Sequence, residues 1–158
     1  MYVAVVGPGP DASRRDCERA REVGRLLAER GSRVLTGGLS GVMAAAAEGC
    51  SQAGGISIGL LPGTDREAAS PHLTIALPTG LGELRNGLLV RSADGIVAVG
   101  GSWGTLSEVA LAHRLGVPVV TLNGWSVGDA AGVAVPMTTA LSPLAAVERV
   151  VELIEHQR

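Results

Sequence analysis

Lysine is absent from this 158-residue chain: all thirteen basic residues are arginine, against fifteen acidic ones. Without an ε-amine no Schiff base to pyridoxal phosphate or a carbonyl substrate can form, and no P-loop lysine is there to hold phosphates. A bound anion must rest on arginine, backbone N–H groups or hydroxyls. Phenylalanine is also missing, and the aromatics are Tyr2, Trp103 and Trp125 alone, so the core is aliphatic. The two cysteines, Cys17 and Cys50, sit in helix-like segments without paired spacing. That pattern reads as free thiols in a reducing compartment, not a disulfide or a metal site. No apolar run reaches the roughly 18 residues of a membrane span. The first apolar segment, Tyr2–Val6, lacks a basic flank and stops at Gly7-Pro8, against a signal peptide. A cytoplasmic chain with no membrane partner is expected. A net charge of −2 leaves no basic stripe, so nucleic acid is not an expected partner.

Glycine, in contrast, is plentiful at 23 residues, and it punctuates an alternation of short β-rich runs with longer segments of helical period. That alternation is what a parallel sheet with crossover helices produces. Strands are expected over 2–6, 33–36, 56–60, 73–77, 95–99 and 118–122, with a short seventh near 132–135. Most are apolar on both faces, as buried parallel strands are. Helices are expected from about 11 to 30, from 40–41 toward 54, over about 82–93 and 105–115, and from Ser142-Pro143 onward. The fold class is α/β: one domain over 1–158, a doubly wound, mainly parallel, Rossmann-like sheet of six or seven strands with helices on both faces.

In such sheets ligands bind beyond the carboxyl ends of the strands, where glycine-rich turns lead into helices. Three turns qualify. Gly7-Pro8-Gly9-Pro10-Asp11-Ala12 matches G-x-G-x-x-A, but the second strand ends in Leu35-Thr36-Gly37-Gly38 instead of the acidic residue a dinucleotide ribose needs, and two prolines remove N–H donors. Asp11 and Ser13 read as helix caps. In the second turn, Gly37, Gly38 and Gly41, followed by Met43, serve either tight turning or close approach of a ligand to backbone. The third turn runs Gly100-Gly101-Ser102-Trp103-Gly104-Thr105-Leu106-Ser107-Glu108. Its N–H groups at a helix N-terminus suit a phosphate, with Ser102 and Thr105 adding hydroxyls. Thr105-x-x-Glu108 also reads as a capping box. Upstream, Arg85 is either a two-pronged anion ligand or a solvated helix charge.

At these residues the chain resembles the LOG family of cytokinin-activating phosphoribohydrolases and the wider Rossmann-like group that includes molybdenum cofactor carrier proteins. The signature P-G-G-x-G-T-x-x-E falls on residues 100–108, with Arg85 at the family's distance before it. Arg91 and Asp94 fall on positions the family fills with the same types. The turn G-G-G-x-x-G-L-M is similar to the run from Gly37 to Met43. Gly100 replaces the signature proline, Ser102 its second glycine, and Asn86 the lysine after the arginine. The group's old "lysine decarboxylase" label cannot apply to a chain without lysine.

The resemblance implies hydrolysis of the N-glycosidic bond of a nucleoside 5′-monophosphate to free base and ribose 5-phosphate. Arg85 and Glu108 would act on the bond, and Gly37, Gly38, Gly41, Met43, Gly101, Ser102, Trp103, Gly104 and Thr105 would hold the nucleotide, with no cofactor or metal. Glu108, near a helix N-terminus, is expected to be ionised, suited to stabilising positive charge on the ribose and not to donating a proton. Trp103 is a candidate to stack on the base. The alternative is a non-catalytic carrier of a nucleotide or of a phosphorylated pterin such as molybdenum cofactor. His72, His113 and His156 lie outside these motifs. A homodimer or homotetramer is expected, as for the related proteins.

Overall fold

The computed structural model describes residues 1–157. Seven strands, β1 (Tyr2–Val6), β2 (Arg33–Thr36), β3 (Ser57–Leu61), β4 (Ile75–Pro78), β5 (Gly95–Val99), β6 (Val119–Leu122) and β7 (Thr138–Ala140), form one Rossmann-like sheet. The order is β4-β3-β2-β1-β5-β6-β7, and every neighbouring pair is parallel. β1 and β5 are fully apolar runs bounded by glycine, so they take the centre, where both faces are covered. Val3 and Val5 point to one face and Ala4 and Val6 to the other, as the two-residue period of a strand requires.

The first face carries α1 (Arg14–Glu29), α2 (Val42–Gln52) and α5 (Pro143–His156), and the second carries α3 (Arg85–Ser92) and α4 (Trp103–Leu115). On the first face, α1 and α2 cross in direct backbone contact. A Cβ on Gly24 would strike the Ala46 carbonyl, and one on Gly49 would strike the Arg21 carbonyl. The two glycines thus let each helix settle into the other without an intervening side chain.

Several boundaries differ from expectation. α1 begins later because Ser13 caps it, its hydroxyl oxygen accepting from the Asp16 N–H at 3.1 Å, while Asp11 is exposed and makes no cap. The expected helix over 82–93 is a 3₁₀ turn at Gly82–Leu84 followed by α3. The seventh strand is Thr138–Ala140, not 132–135. The apolar Val133 and Val135 belong to a small antiparallel excursion bridged at Gly128 and Ala134, while β-branched Thr138 and Thr139 supply the edge strand. Among the described residues no helix is long and apolar enough to cross a membrane.

Candidate functional site

The strand order reverses between β1 and β5, so the turns leaving their carboxyl ends diverge and open a crevice. A cavity of about 80 Å³ lies there. β1 and its turn contribute Val6 and Gly7; the β2 turn and α2 contribute Gly37 and Met43; α3 contributes Arg85 and Asn86. The turn after β5 and the start of α4 contribute Ser102, Gly104, Thr105 and Glu108. Four stretches distant in sequence, 6–7, 37–43, 85–86 and 102–108, thus converge on a space about as large as one phosphate group and a water.

Arg85 is 9 % exposed, and its Nε and Nη1 are buried with no hydrogen-bond partner among the described residues. Its guanidinium lies so close to the Gly37 backbone that a Cβ there would collide with Nη1. Gly37 is therefore a glycine because an arginine occupies the room of a side chain. Burial pulls the Arg85 pKa below its ordinary value, and Glu108 partly opposes that shift. Such a guanidinium remains cationic in a protein, so the cavity holds a charge that needs an anion.

Glu108 is 7 % exposed, and burial pushes its carboxyl up to about 7, with the Arg85 cation holding it back only in part. Among the described residues no ion pair within 4.0 Å joins the two. This corrects the expectation of a carboxylate held ionised by the helix dipole. Glu108 sits in the second turn of α4, past the reach of the terminal N–H groups, and desolvation dominates.

The capping box is corrected as well. Ser102, not Thr105, caps α4: its backbone is extended and its hydroxyl oxygen accepts from the Thr105 N–H at 3.2 Å, with the two hydroxyls 2.9 Å apart. Thr105 is thereby drawn inside the helix, and Glu108 is released from the cap to line the cavity. Gly100 adopts φ +66°, which proline cannot, so the signature turn here follows a path closed to a family member with proline at that position.

Of the residues singled out in the sequence, Gly37, Met43, Arg85, Ser102, Gly104, Thr105 and Glu108 meet at the cavity. Gly38 and Gly41 line no part of it. Gly38, at φ +79°, packs on Leu61 and the β3 backbone, and Gly41, at φ +65°, passes against the Gly9 carbonyl at the start of α2. Gly101 lies under Trp125, whose ring nitrogen a Cβ would approach to 2.9 Å, and Trp103 lines a groove beside the cavity. Asp94 is at the amino end of β5, accepting from the Tyr2 N–H at 2.7 Å, at the opposite end of the sheet from the crevice. The three histidines line no part of the cavity.

Two residues escaped the sequence reading. Asp16 is 8 % exposed and accepts from the Ser13 hydroxyl at 2.7 Å and from Asn123 Nδ2 at 3.3 Å. A Cβ on Gly100 would come within 2.9 Å of its carboxylate, so it buttresses the phosphate-type turn from behind. Trp125, in the loop after β6, donates its ring N–H to the Ser102 carbonyl at 3.0 Å and packs on Trp103 with ring centroids 5.2 Å apart. A cap-like Ser-x-x-Asp spacing hinted at Asp16, whereas nothing local in the sequence brings Trp125 to the turn.

Comparison with known proteins places the chain among relatives along nearly its whole length. The model of the SLOG cluster4 family matches residues 1–152. The chain is similar to the molybdenum cofactor binding protein from the phototrophic bacterium Rippkaea orientalis, with a TM-score of 0.86 and 36 % identity over 97 % of this chain and 96 % of that one. It is similar too to the molybdenum cofactor carrier protein of Chlamydomonas reinhardtii, with a TM-score of 0.85 and 35 % identity over 98 % of each chain. A protein of Archaeoglobus fulgidus whose function is uncharacterised is 36 % identical over 123 residues, 78 % of this chain and 80 % of that one.

Proposed function

The chain belongs to the SLOG cluster4 family, and from that membership and the cavity's chemistry we propose that it binds a phosphorylated pterin of the molybdenum cofactor type and acts as its carrier. One observation carries this reading: the buried, unpartnered Arg85 guanidinium inside a phosphate-sized cavity at the switch point. A buried cation without a partner is costly, and a ligand phosphate would offset that cost with a two-pronged, charge-assisted contact. The Ser102-capped end of α4 adds a positive dipole end and the Thr105 hydroxyl. The full-length likeness to molybdenum cofactor binding and carrier proteins supports the same ligand class. The cofactor is cargo in this reading, so the site needs only to hold and release it.

The test is thermal unfolding with and without a phosphorylated pterin. Wild type should melt at a higher temperature as ligand is added, by mass action on the folded state. Arg85→Met, which keeps the bulk and removes the charge, should abolish that ligand-dependent shift while leaving the unliganded protein folded. A wild type with no shift at millimolar ligand overturns the proposal.

A second reading, hydrolysis of a nucleoside 5′-monophosphate, is favoured by a different observation: Glu108, at about 7, could supply a proton near neutrality. In that reaction the C1′–N bond breaks, the carboxyl proton goes to the departing base nitrogen, water adds its hydroxyl to C1′ and its proton returns to Glu108. Release of ribose 5-phosphate from nucleoside monophosphates, lost in Glu108→Gln, would establish it. We also propose a homodimer or homotetramer, supported by Ile75, Leu77 and Leu88, which are all 40 % or more exposed.

A further inference from the structure

The anion cavity, about 80 Å³, is too small for any ligand beyond its phosphate. The rest of the molecule must leave through an adjoining space, and one neighbouring hollow shares walls with it. A groove of about 510 Å³ between α3 and α4 shares Asn86, Gly104 and Glu108 with the cavity. The hollow over Gly101 and Trp125, about 340 Å³, shares no lining residue with it. The groove's remaining walls include Leu84, Gly87, Trp103 and Leu111. Leu84 is 79 % and Trp103 78 % exposed, and the two lie together on this one groove and not scattered singly.

Trp103 also has an aromatic neighbour. Trp125 packs on it at 5.2 Å and is itself tied to the phosphate turn through its N–H bond to the Ser102 carbonyl. Trp125 therefore fixes the orientation of Trp103 relative to the place where a phosphate would sit. An oriented aromatic face beside a charged anchor suits a planar heteroaromatic ring.

We propose that the α3–α4 groove is the ring subsite of the phosphorylated ligand, with Trp103 as its stacking wall, Trp125 as the positioning residue behind that wall, and Gly87 as the open floor. The proposal rests on the phosphate reading above and adds the ring's location and the residues that select it. Gly87 offers a steric test: a Cβ there meets only Leu111 Cδ2, at 3.7 Å, so a larger side chain fills the groove and spares the fold.

The experiment measures affinity for neopterin phosphate and for glycerol phosphate, its counterpart without the ring, in wild type, Trp103→Ala, Trp125→Phe and Gly87→Leu. Wild type should prefer the pterin, and Trp103→Ala and Gly87→Leu should each weaken pterin binding about ten- to a hundredfold, the range for loss of one base-stacking contact. Glycerol phosphate affinity should change less than twofold. Trp125→Phe, which removes the N–H anchor and keeps a ring, should fall between wild type and Trp103→Ala. Unchanged pterin preference in Trp103→Ala and Gly87→Leu places the ring elsewhere and overturns the subsite alone. A groove covered by a second copy, seen as an oligomer that Gly87→Leu dissociates without altering pterin preference, overturns it too. A wild type that binds neither compound overturns the phosphate reading with it.

Discussion

On the face of the sheet that carries α1, α2 and α5, backbones touch and charges are paired: Gly24 and Gly49 interlock two helices, and Arg21 bonds Glu48 across them at 2.8 Å. On the opposite face, α3 and α4 stand apart around a groove, with a guanidinium that has no partner and a carboxyl driven toward neutrality. The same sheet supports both. The first face is closed by packing and ion pairs, while the second leaves a buried cation without a hydrogen-bond partner among the described residues. The proposed site therefore lies where the rules of good packing are suspended.

The sharpest break of this contrast is a methyl group. Gly49→Ala should destabilise the protein by about 3 kcal/mol, although alanine is intrinsically the better helix former, because the Arg21 carbonyl occupies the methyl's place. A urea melt should show the loss, and a stabilised variant would refute the interlock. Glu108→Gln should act in the opposite sense. Because burial raises the folded carboxyl from 4.5 to about 7, the wild type loses stability as pH rises between those values, roughly 3 kcal/mol in all. The glutamine variant does not titrate, so it should gain on wild type across that window and be the more stable protein at pH 8, with little difference below pH 4.5. Melts at the two pH values check the sign. The smallest effect belongs to Gly87→Ala in α3, where the space is open: it should stabilise by about 0.5–1 kcal/mol, the reverse of Gly49→Ala. If the two glycine variants shift stability in the same direction, the contrast between the faces fails.

The fold was legible wherever a strand was an apolar run ending at glycine, as β1 and β5 are. Their pattern follows from burial alone. β7 was misplaced because an edge strand is only half-buried, so two threonines outrank the more apolar Val133 and Val135 nearby. The meeting of Arg85 with the third turn was implied by the family resemblance alone, since the residues left Arg85 either an anion ligand or a solvated helix charge. The state of Glu108 could not. Whether it caps a helix or lines a cavity turns on Ser102 taking the cap, and its proton affinity turns on desolvation by segments distant in the chain. Trp125 was hidden for a similar reason: a long loop carries no periodicity, and the bond to Ser102 spans 23 residues.

The glycine interlock of α1 and α2 also bears on motion. Side chains between helices act as compliant spacers that change rotamer and let one helix slide on its neighbour; here each helix seats directly on a carbonyl of the other. Translation along either axis would drive backbone into backbone. The pair therefore behaves as a single stiff slab fused to the first face of the sheet, and it can open only by coming off that sheet. Any rearrangement near the crevice is then left to the second face, where α3 and α4 stand apart around their groove. The interlocked pair is thus a fixed reference for the strands that lead into the crevice.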